Sequence, residues 1–249
     1  MLTEERFARI LSIVDSKGSV TVAELIEEMG SSESTVRRDL LTLDKQGRLR
    51  RVRGGATSLN TSLYTKDNDV RVRDKQHGRE KSSIGSYAAE LVGPDDFVYI
   101  DAGTSTQRML LPKLSQEASY VTNSVSHAMK LAALGRKVYI LGGEFKRSTE
   151  AIVGEEAIYS ISKYNFTKGF FGTNAVNISN GFTTPEMKEA AIKRCAMDHC
   201  IEKYVLCDSS KFDQTSSISF AEFSQAIILT DHIKSAYKGY TNIKEVKNK

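Results

Sequence analysis

Long apolar runs, cysteine pairs and histidine clusters are all missing from this 249-residue chain, and each absence removes a class of function. No window approaches the roughly 18 uninterrupted apolar residues of a membrane-spanning helix. The stretch from Met1 to Arg9 is charged and lacks the apolar core and cleavage site of a secretory signal, so a soluble, cytoplasmic protein with no membrane partner is expected. Cysteine is limited to Cys195, Cys200 and Cys207, an odd count whose spacing fits neither a zinc site nor a CxxC redox pair; they read as small core residues. The four histidines, His77, His127, His199 and His232, are scattered and form no HExxH or other ligand pattern. Neither a metal nor a cofactor is expected.

What is present is uneven. Forty per cent of the residues are apolar, enough for a sizeable core, and the length favours a small domain followed by a larger one. The net charge is only +4, yet residues 1–30 carry three basic and six acidic side chains whereas residues 31–60 carry seven and three. Such asymmetry points to an anionic partner on one side of a small domain.

The first helix is read from Phe7, Ile10, Leu11 and Val14 at helical spacing, with Gly18 as its stop. A second places Val22, Leu25, Ile26 and Met29 on one stripe and ends at Gly30. Ser31 or Ser32 then caps a third, with Glu33 in its dipole-positive first turn. There Val36, Leu40 and Leu43 face the other helices, while Ser34, Arg38 and Lys45 occupy the opposite face with Arg37 and Thr42 on its flanks. Hydroxyl and guanidinium groups on a helix surface suit base edges and phosphates in a DNA major groove. After Gly47, "RLRRVRGGA" reads as an extended wing turned by Gly54 and Gly55, its four arginines poised over phosphates. Asp39 has two readings, holding a nearby arginine or contacting DNA.

Residues 57–76 are polar and read as a linker that includes at most one short strand. A helix is expected from about Arg79 to Val92. Beyond it, short β-rich runs alternate with small polar loops and helices: "FVYID" with "AGTST", "SYVTN" with "SVSHAMKLAAL", "KVYIL" with "GGEF", then "KGFFGTNAV", "PEMKEAAIKRCAMDHC", "KYVLC" with "DSSKF", and "AIILTD". This alternation implies an α/β domain on a mostly parallel sheet, with ligands beyond the carboxyl ends of the strands. Gly103, Thr104, Ser105 and Thr106 form one candidate anion loop, Asn123 and Ser124 a second, Gly142 and Gly143 a third, and Lys211 adds a point charge.

From residue 3 to residue 56 the chain resembles the N-terminal winged helix-turn-helix of DeoR-family bacterial repressors, which carry "S-x-x-T-x-R-R-D-L" followed by "GxLxRxxGGA". The resemblance implies double-stranded operator DNA as partner, with Ser32, Ser34, Thr35, Arg37 and Arg38 in or beside the groove and Arg51 and Arg53 on the wing. Residues 77–231, with "DAGTST", "VTNS", "LGGEFKRSTEAIVG", "GFTTPEMKEA" and "DSSKF", resemble the family's sensor domain, which is similar in fold to ribose-5-phosphate isomerase. That implies a doubly wound domain over 77–249 binding a phosphorylated sugar through Asp101, Gly103 to Thr106, Asn123, Ser124, Gly142, Gly143 and Lys211. "NAVNISNGFTTP" most resembles fructose-operon repressors of Gram-positive bacteria, making fructose 1-phosphate the expected effector.

The alternative is an isomerase-like enzyme bearing a helix-turn-helix. Proton transfer needs a carboxylate at the substrate carbon, and the segment that corresponds to the isomerases' acidic one, "FFGTNAVN" from Phe170 to Asn177, has none. Asp101, Glu144, Glu186, Glu189 and Asp208 are expected near the pocket, as acceptors for sugar hydroxyls or as helix caps. A non-enzymatic sensor is therefore expected, acting as a homodimer or homotetramer because one recognition helix reads little sequence.

Overall fold

The computed structural model describes residues 3–17, 19–58, 63–64 and 70–246. The chain divides into two compact units, Met1–Leu63 with Lys234–Gly239, and Tyr64–Ile233 with Tyr240–Lys249. The expected boundaries, 56/57 and 76/77, differ from this division. Helix Val70–Lys75 belongs to the second unit, so the end of the polar stretch is structured. Residues 59–62 and 65–69 of the expected linker, and the helix stop Gly18, lie outside the described residues.

In the first unit, helices Thr3–Lys17, Val22–Met29 and Glu33–Lys45 bury Phe7, Ile10, Val14, Leu25, Val36, Leu40 and Leu43 in one core. Thr21 and Glu24 form a reciprocal capping box: the Glu24 N–H donates to Thr21 Oγ1 over 3.1 Å and the Thr21 N–H donates to Glu24 Oε2 over 2.8 Å. Gly30 closes that helix in the left-handed conformation, its N–H donating to the Ile26 carbonyl over 2.9 Å. The wing is the hairpin of Leu49–Val52 and Gly55–Ser58, and Ser19–Thr21 pairs antiparallel with the latter strand. The sequence reading put both Gly54 and Gly55 in the turn; only Gly54 is there, with φ +88°, beside Arg53. Gly55 starts the second strand, where a Cβ would stand 2.1 Å from the Val20 carbonyl oxygen. The paired glycines thus have different tasks, one conformational and one steric.

The second unit is built on seven parallel strands in the spatial order Ile243–Glu245, Ile227–Thr230, Cys200–Leu206, Phe166–Gly172, Phe97–Ile100, Ser119–Thr122, Lys137–Ile140. Alternation sends Val98, Ile100, Phe170, Leu206 and Leu229 into a core shared with Ile84 and Ala88 of helix Gly78–Glu90 and with Leu131 of helix Val125–Ala133. Tyr99 and Phe171 have the opposite parity, and helix Met187–Asp198 packs against the strands on their side. Helices on both faces make the sheet doubly wound. A small antiparallel sheet, Ala175–Asn177, Gly181–Thr184 and Ile218–Ala221, is attached to it.

The strand order fixes where a ligand fits. Numbered along the chain, the sheet reads three-two-one-four-five-six-seven, so its direction reverses between Phe97–Ile100 and Phe166–Gly172. Loops leaving the carboxyl ends of these two neighbours run in opposite senses and open a crevice between them.

Candidate DNA-binding surface and effector cleft

On the first unit, Ser32 caps the third helix: the Thr35 N–H donates to its Oγ over 3.4 Å, and its hydroxyl also meets those of Ser34 and Thr35 at 3.1 and 2.9 Å. Ser34, Arg37 and Arg38 are exposed along the first half of the helix, opposite the buried Val36 and Leu40. Arg37 is held by Glu33 one turn earlier, Nε to Oε1 at 2.8 Å, whereas Arg38 makes no ion pair among the described residues. Arg51 and Arg53 are exposed on the wing, together with Arg48 and Arg50. The Arg51 N–H donates to Asp44 Oδ1 over 2.9 Å, tying the wing to the end of the helix. Asp39 is buried and takes both prongs of Arg6, at 2.7 and 3.0 Å, so of its two readings the structure realises the arginine clamp. The sequence reading missed Arg6.

On the second unit, the crevice at the strand reversal is a cleft of about 540 Å³, within the range of small-molecule sites. One wall is the loop after Phe97–Ile100, with Gly103, Thr104 and Ser105; the other is Gly172, Thr173 and Asn174. Lys211 and Asp208 come from the loop after Cys200–Leu206, and Arg73, His77 and Lys81 from the helices that precede the sheet. Lys211 Nζ lies 3.5 Å from Ser105 Oγ and 3.7 Å from Asp208 Oδ2.

The expected effector residues divide into those on the cleft wall and those behind it. Gly103, Thr104, Ser105 and Lys211 line the cleft. Asp101 lies beneath, fully buried, in contact with Lys193 and accepting the Gly172 N–H over 3.1 Å. Thr106 does not line it, because its hydroxyl is spent on the carbonyls of Asp101 and Gly103 at 2.7 and 2.9 Å. Asn123 is also behind the wall: its Oδ1 accepts the Ala102 N–H over 2.8 Å and its Nδ2 donates to the Ile152 carbonyl, bracing the loop. Ser124 caps the next helix by accepting the His127 N–H over 3.3 Å. Gly142 and Gly143 lie outside the lining, and a Cβ on Gly143 would meet the Val153 carbonyl oxygen at 2.9 Å. Of the expected carboxylates Glu189 and Asp208 line the cleft; Glu144 and Glu186 do not, being paired with Lys188 and Lys146.

Three residues the sequence reading missed supply charge and support. Lys193 lines the cleft and bonds Asp101 and the Gly172 carbonyl. Lys81 is buried, and its ammonium donates to the Arg73 carbonyl over 2.5 Å and to Thr104 Oγ1 over 3.1 Å. No carboxylate lies within ion-pair distance of Lys81 among the described residues, and burial, with the like charge of Lys211, lowers its pKa to about 8. His127 donates to the Gly103 carbonyl from below; burial pushes its pKa down to about 4, so it is neutral at physiological pH. Burial works against the Asp208 and Glu189 carboxylates, yet Lys211 and Ser210 on the first, and Lys193, Lys146 and Thr149 on the second, hold both below the usual range. The cleft therefore offers cations, hydroxyls and two ionised acceptors. Nothing in Gly172, Thr173 or Asn174 can shuttle a proton.

Family comparisons agree with this division. Residues 6–62 match the DeoR-like helix-turn-helix domain and residues 76–232 the DeoR C terminal sensor domain. The HTH-type transcriptional regulator FruR of Bacillus subtilis (strain 168), itself described as uncharacterized, is 36% identical over 252 residues, covering 99% of this chain and 100% of that protein. The lactose phosphotransferase system repressor of Staphylococcus epidermidis is 32% identical over 232 residues, 92% of each chain. Among solved structures, ribose 5-phosphate isomerase A from Methanocaldococcus jannaschii is similar over 53% of each chain at 14% identity, with a TM-score of 0.39. No helix among the described residues is long and apolar enough to cross a membrane. The chain belongs to the DeoR family of transcriptional repressors of sugar metabolism, a winged helix-turn-helix followed by a sensor domain, and is a regulator rather than an enzyme.

Proposed function

We propose that this repressor acts in the cytoplasm on the operator of a sugar-catabolic operon, and that a phosphorylated sugar in the cleft sets its operator affinity. The observation that carries the reading is Lys81, a buried ammonium with two neutral acceptors and no carboxylate within ion-pair distance among the described residues, beside Lys211, with Asp208 and Asp74 acting on it only from farther away. A buried cation with no carboxylate in direct contact is costly, and a phosphoryl group offsets that cost. Thr104, Ser105 and Lys211 complete the phosphoryl contacts; Asp101 and Asn123 act through the loop they hold. Fructose 1-phosphate is the first candidate, from the resemblance of "NAVNISNGFTTP" to fructose-operon repressors.

On the DNA side, Ser34, Thr35, Arg37 and Arg38 read the major groove, Ser32 fixes the helix start, and Arg51 and Arg53 clamp phosphates. The protein works as a homodimer or larger homo-oligomer, two recognition helices reading two half-sites, and effector changes how they are placed. A coupling of about 1–3 kcal/mol changes operator affinity roughly 5–150-fold. Thermal stabilisation by fructose 1-phosphate, fructose 6-phosphate or tagatose 6-phosphate, but not by the free sugars, is expected. Stabilisation by none of them refutes the reading.

A further inference from the structure

Helix Val70–Lys75 is held in the second unit by hydrogen bonds rather than by a buried apolar face. None of its described side chains is buried, and Val72 is 51% exposed. So short a helix does not persist on propensity alone. The Val70 N–H donates to the Ser148 carbonyl over 3.0 Å, and Arg108 Nη2 donates to the Asp74 carbonyl over 3.1 Å and to Asp74 Oδ1 over 2.7 Å. Arg108 directly follows helix Thr104–Gln107, whose first residues line the cleft. Lys81 joins the Arg73 carbonyl to Thr104 in the same way. His77, left-handed at φ +52°, separates this helix from Gly78–Glu90. The helix therefore has two connections: Arg73, with Gln76 and His77 just beyond its end, lines the cleft, and its first residue comes shortly after Leu63, where the DNA-binding unit ends.

We propose that Arg108 and Asp74 are a positioning pair that latches helix Val70–Lys75 to the cleft, and that effector acts on the DNA-binding unit by strengthening this latch. The inference rests on the phosphoryl reading of the cleft and adds the route out of it. Without ligand, the like charges of Lys211 and Arg73 both bear on Lys81, so the part of the wall that the helix supplies is repelled by its neighbours. An anion placed among these cations turns repulsion into attraction. The ligand binds tighter when the helix is in place, and by linkage it holds the helix there. Order in the helix fixes the point from which the linker leaves. Asp74 and Arg108 lie off the cleft lining, so they act on the helix and not on the ligand.

Amide hydrogen exchange and operator anisotropy on the full chain test this, with fructose 1-phosphate, fructose 6-phosphate and tagatose 6-phosphate as probes. In the wild type, the sugar phosphate that binds should slow exchange over residues 70–76 at least about tenfold and change operator affinity at least about fivefold. Arg108→Ala should keep its ligand-free operator affinity within about twofold of wild type and its ligand affinity within about tenfold, yet respond to ligand by less than about twofold. Asp74→Ala, which leaves a backbone carbonyl for Arg108, should lose part of the response, and Arg108→Lys should restore most of it. Exchange over 70–76 that ligand leaves unchanged overturns the inference, and that measurement needs no variant to fold. A full response in Arg108→Ala overturns it too, as does loss of ligand binding in step with the response, which would mean that the pair only shapes the cleft. If no probe binds the wild type, the cleft reading itself fails and the route with it, a result distinct from binding that leaves the helix unaffected.

Discussion

Lys81 Nζ donates to Thr104 Oγ1 across 3.1 Å, joining a helix that precedes the sheet to the loop that follows its first strand. Both groups line the cleft, and no carboxylate stands within ion-pair distance of the lysine among the described residues, Asp208 and Asp74 acting on it from farther away. Its pKa of about 8 predicts a pH dependence. An anion binds the charged form, so affinity for a phosphate ester is flat below pH 8 and falls as pH rises through it, by up to about tenfold per unit. Below pH ~6 the phosphate loses its second charge and affinity falls again. Lys81→Met should weaken binding at least about tenfold and abolish the alkaline limb. Isothermal titrations between pH 6 and 9.5 check both.

Neighbouring arginines on the recognition helix are predicted to behave differently. Arg37 is held by Glu33, whereas Arg38 makes no ion pair among the described residues. Arg38→Ala should cost about 1–3 kcal/mol of specific operator affinity and relax sequence preference, and Arg37→Ala should cost less. Arg51→Ala and Arg53→Ala should weaken all duplexes alike, each lowering the slope of log affinity against log salt by about 1. Fluorescence anisotropy with specific and scrambled duplexes at several salt concentrations separates the two behaviours.

Arg6 and Asp39 join the first and third helices through two parallel hydrogen bonds. Removing the arginine leaves a buried carboxylate unpaired, while replacing both residues with apolar ones leaves no charge behind. Arg6→Met should lower thermal stability and operator affinity, and Arg6→Met/Asp39→Leu should recover more than half of the lost melting temperature. A double-mutant cycle in the melting temperature tests the pair.

Gly55→Ala is predicted to disrupt the wing, because its methyl would stand 2.1 Å from the Val20 carbonyl oxygen. Operator binding should be lost with phosphate-ester binding retained. Gly54→Ala, which has open space around it, should cost only about 1 kcal/mol for its left-handed backbone. Parallel operator and ligand titrations distinguish steric from conformational damage.

The helix-turn-helix was legible because its signals are local: apolar stripes, Ser32 at a cap, Gly30 at a helix end. The role of Gly55 was not, since the Val20 carbonyl that excludes a side chain lies 35 residues away along the chain. In the second unit the loops "GTST" and "DSSK" marked two contributors to the cleft. Asn123, Ser124, Gly142 and Gly143 resembled them in composition, yet they follow strands on one side of the sheet reversal, and strand order is a long-range property with no local signature. Lys81 and Lys193 carry no such loop signature, because both lie within helices. Each sits on the buried stripe of its helix, Lys81 three residues before Ile84 and Lys193 next to Ile192 and three before Ala196. A lysine in phase with buried apolar residues was the available signal.

In the proposed function, the cleft couples a phosphorylated sugar to DNA affinity through a charge that Lys81 provides. The most direct measurement is the dissociation constant for operator DNA, by anisotropy, without ligand and with saturating fructose 1-phosphate, fructose 6-phosphate, tagatose 6-phosphate or the free sugars. At least about a fivefold change is expected with one phosphorylated sugar, none with its free form, and none in Lys81→Met. An operator affinity of the wild type that is identical with and without every phosphorylated sugar would contradict it.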